Sequence, residues 1–201
     1  AVPVGIGVAV WLVEYGRNSW FAHTVRFFVD VLTGVPSIVF GLFVYIVLVV
    51  GTGSTYAGYK GSIALSLLML PVVIRSAEVI LLLVPAALRE SALALGAPRW
   101  RVIFNIVLPT ALPGMVTGVL LAVARAAGET APLLFTAAYT HETNFNLGAF
   151  MNSLPVQIYN DVTSPTTAVV NRAWGAALTL VTLILLLNLI ARLIARRSRL
   201  A

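Results

Sequence analysis

Cysteine is absent from this chain, which excludes a disulfide framework, thiolate metal sites and a cysteine nucleophile. Charge is scarce. Asp, Glu, Lys and Arg make up 10% of the residues, against about 25% in an ordinary soluble domain. Histidine occurs only as His23 and His141. They fall on opposite predicted sides of a membrane, so they cannot share a metal, and each reads as a surface residue. No Gly-x-x-x-x-Gly-Lys-[Ser/Thr] phosphate loop is present, so ATP hydrolysis has to come from another chain.

What abounds is apolar surface: 60% of the residues are hydrophobic, gathered in long runs that imply a lipid environment. Phe27–Val50, Gly61–Val84, Pro109–Ala138 and Ala173–Ala195 are each long enough to cross an apolar layer of about 30 Å. Ala1–Val13 is apolar with no basic region before it. It reads as the tail of a helix that starts upstream, or else as a short interfacial or re-entrant segment. Pro36, Pro71, Pro113 and Pro132 lie inside or near the ends of these runs, where membrane helices tolerate kinks. No repeat or low-complexity stretch is evident. Residues 1–201 read as one all-α membrane domain.

The formal net charge is +6, and its placement speaks to topology. Arg17, Arg26, Arg89, Arg99, Arg101, Arg192, Arg196, Arg197 and Arg199 fall on one set of connections. Only Lys60 and Arg172 border the other set, Gly51–Lys60 and Tyr139–Arg172. The richer side is cytoplasmic by the positive-inside rule, and the C-terminus is expected there. The same placement argues against nucleic acid as a partner. Asp30, four residues after Arg26, reads as its interfacial ion-pair partner. The outer loop Tyr139–Arg172 interleaves Asn144, Asn146, Asn152 and Asn160 with Phe145, Phe150, Met151 and Tyr159. Such a loop can meet a soluble partner or pack on its own helices.

The cytoplasmic connection, about residues 85–108, carries the most specific pattern. Glu90-Ser91-Ala92 opens a helix-forming run, Gly96 breaks it, and Pro98 precedes a new start. Trp100, Ile103, Phe104 and Val107 then recur at helical spacing. Two short helices at an angle are expected, forming a knob suited to a groove on another protein.

Ionisable residues at lipid depth cost roughly 2.5–3.5 kcal/mol each on insertion scales. Arg75 and Glu78 share one face of a span, and Arg125 and Glu129 share one face of another. In both, Arg precedes Glu, the less favourable order along an isolated helix. Guanidinium groups match oxyanions two oxygens at a time, and adjacent carboxylates weaken that binding enough for release. The same pairs can instead act as buried salt bridges that fix helix packing.

The pattern Glu90, Ala92, Gly96, Ile106, Leu108 and Pro109 resembles the signature of ABC importer permeases, with Ser91 in place of the middle alanine. Gly34-Val35-Pro36-Ser37-Ile38-Val39-Phe40-Gly41-Leu42-Phe43 and Ala124-Arg125-Ala126-Ala127-Gly128-Glu129-Thr130-Ala131-Pro132-Leu133-Leu134 are similar to segments of PstA-type phosphate permeases. The resemblance implies a type I importer transmembrane domain with about five of six helices present, in a bacterial inner membrane. It makes Glu90, Ser91, Ala92 and Gly96 the ATPase-coupling segment and puts Arg75, Glu78 and Arg125 on the phosphate pathway. Glu129 is added from helix geometry. The implied partners are a PstC-type permease, an ATPase dimer that uses ATP and Mg, and a periplasmic or surface phosphate-binding protein. No cofactor is expected on this chain.

Importers of sulfate, molybdate or tungstate would share the coupling loop, and a passive anion channel would need no ATPase. An embedded enzyme would need a nucleophile with its base, or a metal cluster. Ser37 has no base beside it in sequence. Gly114 and Gly118 form a small-xxx-small pattern that can bring two helices close.

Overall fold

Proline and glycine set the helix boundaries in this chain. The computed structural model describes residues 1–198 apart from Asn18, His141 and Thr143, with side chains as far as residue 195. His141 and Arg199 of the sequence reading lie outside the described residues. Nine helices, and no strand, occur among the described residues. They are α1 (Val2–Tyr15), α2 (Trp20–Gly34), α3 (Ser37–Val50), α4 (Gly58–Leu83), α5 (Ala86–Ala94), α6 (Arg99–Ala127), α7 (Ala131–Thr136), α8 (Leu154–Val162) and α9 (Thr167–Ser198). Three, α4, α6 and α9, are long and apolar enough to cross a membrane.

Two predicted spans need correction. Phe27–Val50 is not one helix: it breaks at Val35–Pro36 into α2 and α3, and the chain bends there. Proline disfavours the helical region for the residue before it, and Pro36 itself is extended (ψ 138°). Pro109–Ala138 is also divided. The helix starts earlier, at Arg99, and ends at Ala127. Gly128–Thr130 interrupt it before α7. Pro71 and Pro113, by contrast, lie within continuous α4 and α6.

Residue contacts divide the chain into two compact units. One comprises Ala1–Thr33, Leu70–Ala122 and Asn188–Ala201. Its core joins Ala9 and Val13 of α1, Ala77 and Leu81 of α4, Ala92 of α5, and Val102, Val107, Ala111 and Met115 of α6. A second cluster packs Leu12, Ala22, Val29 and Ile74 together. The small-xxx-small pattern works inside this unit. Gly114 faces Ile80 and Gly118 faces Ser76, so α6 approaches α4 where a β-carbon would clash.

The other unit comprises Gly34–Met69 and Val123–Leu187. Here α3 packs on α7 so closely that a β-carbon at Gly41 would lie 2.6 Å from Pro132 Cα. A small core joins Leu133, Ala137 and Val156. The Tyr139–Arg172 loop is fastened to the start of α4: Gly58 N–H donates to the Ala149 carbonyl and Tyr59 N–H to that of Leu147. Its asparagines largely serve the loop itself. Asn144 accepts from Asn146 N–H, Asn146 accepts from Gly148 N–H, and Asn160 donates to the Val156 carbonyl. Phe145 remains fully outward.

Candidate functional site

An arginine at lipid depth needs a partner, because the charged form is costly there. In the first unit α2 and α4 satisfy two arginines with two carboxylates. Glu78 is 2% exposed. Its Oε1 accepts from Arg26 Nε at 2.6 Å and its Oε2 from Arg75 Nη1 at 2.9 Å. Arg75 Nη2 donates to Asp30 at 3.1 Å, and Arg26 Nη2 donates to the Leu12 carbonyl at 3.0 Å. The chain Arg26–Glu78–Arg75–Asp30 sums to zero charge. Its inner carboxylate is sealed, whereas the Arg75 and Asp30 side chains are 44% and 51% exposed.

This arrangement corrects the pairing expected for Asp30. Arg26 and Asp30 lie one turn apart on α2, yet each binds a partner on α4 instead. Glu78 offers Arg26 a dry site, where a charge-assisted hydrogen bond is worth more than at a wet helix surface. Arg26, read from sequence as a topology charge, is therefore the anchor of the buried carboxylate.

Arg125 and Glu129 behave differently. Arg125 is exposed near the end of α6, and Glu129 is half-buried beyond it. Because α6 stops at Ala127, the shared helical face expected for this pair does not form. Neither residue makes an ion pair with a described residue. Among the described residues Arg125 thus has no ion-pair partner, unlike Arg75.

The Glu90–Pro109 motif is built as one short helix, not two. α5 holds Glu90, Ser91 and Ala92, and Gly96 ends the turn with φ +82°, a conformation open to glycine. Ala92 is buried, whereas Glu90 and Ser91 are exposed. After Pro98 the chain enters α6 without a further break, so Trp100 and Phe104 lie on the spanning helix itself. Leu88, Leu93, Leu95, Trp100 and Phe104 are exposed, an apolar surface around the two exposed polar residues.

Three features escaped the sequence reading. Lys60, taken as a topology charge, is 1% exposed and donates to Ser54 Oγ at 2.7 Å and to the Thr55 carbonyl at 2.5 Å. Glu14 pairs with Arg89. A carboxylate between Val13 and Tyr15 at the edge of an apolar run was the signal that a partner was needed. In the 139–172 segment, Arg172 donates to both oxygens of buried Asp161 at 2.8 and 3.0 Å. These bonds hold Asp161 below its ordinary pKa, although burial pushes it up. Tyr139 donates to the same carboxylate, and burial raises the tyrosine's own pKa.

The sequence pattern of binding-protein-dependent transport system inner membrane components matches residues 1–200. The chain belongs to that family. It is 47% identical to phosphate transport system permease protein PstA 1 of Mycobacterium tuberculosis (strain CDC 1551 / Oshkosh), over 99% of this chain and 66% of that protein. It is 50% identical to the PstA of Mycobacterium leprae (strain TN), over 94% and 62%. For the Haemophilus influenzae PstA the identity is 45%, over 98% and 70%. The chain therefore spans about two thirds of the length of these curated relatives. Among solved structures, an inward-facing conformation of the MetNI methionine ABC transporter superposes with TM-score 0.79 at 22% identity. That match covers 98% of this chain and 86% of the other, and it shows the shared fold.

Proposed function

We propose that this chain is a membrane-spanning subunit of an ATP-driven importer of inorganic phosphate. The observation that carries this reading is the pair of intramembrane arginines on a family member whose cited relatives are phosphate permeases at 45–50% identity. Arg75, Glu78, Arg125 and Glu129 line the pathway. Arg125 supplies a guanidinium that has no ion-pair partner among the described residues. Arg75 supplies a guanidinium whose outer carboxylate, Asp30, is half-exposed and exchangeable for a phosphate oxygen. Glu78 stays in place because it is buried and also holds Arg26. A guanidinium that is already partly neutralised holds an anion weakly enough to let it go, as conduction requires.

A second permease completes the pathway, and an outer phosphate-binding protein delivers the ion. The exposed Glu90-Ser91 edge of α5, framed by Leu93 and Leu95, docks into an ATPase dimer that consumes ATP and Mg. The C-terminus is on that same cytoplasmic side.

The test uses the complete transporter in vesicles with its binding protein. Arg125→Gln is expected to abolish phosphate uptake while subunit assembly persists. Wild-type uptake by that variant, at equal amounts of complex, overturns the pathway role. Competition of uptake by sulfate, molybdate or tungstate, with phosphate ineffective, overturns the substrate.

A further inference from the structure

Arg89 stands one residue before Glu90, and in the sequence it is only one of nine cytoplasmic positive charges. In the structure its side chain is 20% exposed and reaches three acceptors at once. Nη1 donates to the Val84 carbonyl at 2.7 Å, Nη2 to the Leu81 carbonyl at 2.8 Å, and Nε to Glu14 Oε1 at 3.0 Å. Leu81 lies in the last turn of α4 and Val84 directly follows the helix; carbonyls at a helix end lack the full set of intrahelical donors, and that of Leu81 receives otherwise only a long bond from Val84 N–H at 3.3 Å. A cation there also meets the negative end of the helix dipole. Glu14 lies in the π-helical last turn of α1.

The connection that Arg89 spans is short. Only Val84 and Pro85 separate α4 from α5, and Pro85 is extended (ψ 135°). Such a joint lets a nine-residue helix pivot while its neighbour stays still. α5 has little else to hold it, since Ala92 is its single buried residue. The guanidinium closes the joint from within: it originates on α5 and grips the α4 end. A rigid planar fork does this better than an ammonium, because its donors are held in fixed directions. Arg75 lies about 9 Å along the α4 axis from Leu81, so a displacement of that end reaches the Arg75–Glu78 pair.

We propose that Arg89 is a positioning residue that braces the Val84–Pro85 joint, with Glu14 as its counter-ion, so that movement of α5 is carried into α4 and its intramembrane charges. This rests on the reading of α5 as the segment that docks with the ATPase. In this role Arg89 acts through α4 and not by contact with substrate or nucleotide.

The experiment measures ATP hydrolysis and phosphate uptake together, in vesicles containing the whole transporter and its binding protein. A merely structural residue lowers both in proportion to lost complex. Loss of the brace instead raises the ATP consumed per phosphate imported. For Arg89→Ala that ratio is expected to rise about tenfold, within the usual range of site-to-site coupling. Arg89→Lys, which keeps the charge without the fork, is expected to give a smaller rise, and it carries the test if the alanine variant does not assemble. An unchanged ratio in the assembled variant overturns the proposal, whatever the absolute rates. The parent transporter separates this from failure of the underlying reading: if it imports no phosphate on ATP, the functional reading fails; if it does and the ratio stays flat, only the brace fails.

Discussion

Replacing Glu78 by Gln tests the energetics of the intramembrane network most directly. The substitution keeps the shape and removes one charge. Before it, Arg26 and Arg75 are balanced by Glu78 and Asp30. Afterwards Arg75 keeps the carboxylate of Asp30, and Arg26 is left without an ion-pair partner among the described residues. Removing one member of a buried, hydrogen-bonded ion pair costs about 3–5 kcal/mol, because the remaining charge keeps its desolvation penalty. Glu78 qualifies: it is buried and accepts from both arginines. For a chain of this size each kcal/mol moves the midpoint by about 2–4 °C, so the melting point should fall by roughly 6–20 °C. Asp30→Asn is the matched control. Its pair with Arg75 is half-exposed, and exposed pairs contribute about 0–1 kcal/mol. Thermal unfolding of the purified, lipid-reconstituted protein compares the two. A Glu78→Gln variant no less stable than Asp30→Asn refutes the argument.

Two further perturbations follow from the second unit. Gly41→Val forces α3 away from the Pro132 backbone and should cost about 1–3 kcal/mol of overpacking, read in the same melting assay; an unshifted midpoint contradicts the close approach. The Asp161–Arg172 pair predicts a pH dependence. The folded-state pKa of Asp161 is depressed, so its contribution is full above the ordinary value of 3.8 and is lost as pH falls through the lower folded value. Asp161→Asn should therefore be less stable than the parent at neutral pH, with the gap closing only in strong acid. A gap that persists there assigns the effect to packing instead.

The Arg75–Glu78 pair forms as the helical spacing suggests, but elsewhere the structure pairs charges differently from the sequence reading. Arg26 and Asp30 are four apart, and local spacing pairs them; Glu78 and Arg75, far away in sequence, take them instead. The Arg125–Glu129 face fails for a related reason: the helix stops between them at Ala127, where Gly128 intervenes. The broken span at Pro36 was visible as a proline within an apolar run. That it divides the run, while Pro71 and Pro113 do not divide theirs, depends on what each helix packs against.

Apolar runs and the Glu90–Pro109 spacing were enough to establish a helical membrane protein of this family, because run length and residue spacing are local properties that act before the chain meets itself. Tertiary structure alone decided which carboxylate neutralises Arg75, that Lys60 and Asp161 are buried, and that Arg89 grips the end of α4. Those outcomes depend on which groups are brought within about 3 Å in a dry interior, where a hydrogen bond to a charge gains its strength. No one-dimensional pattern contains that distance.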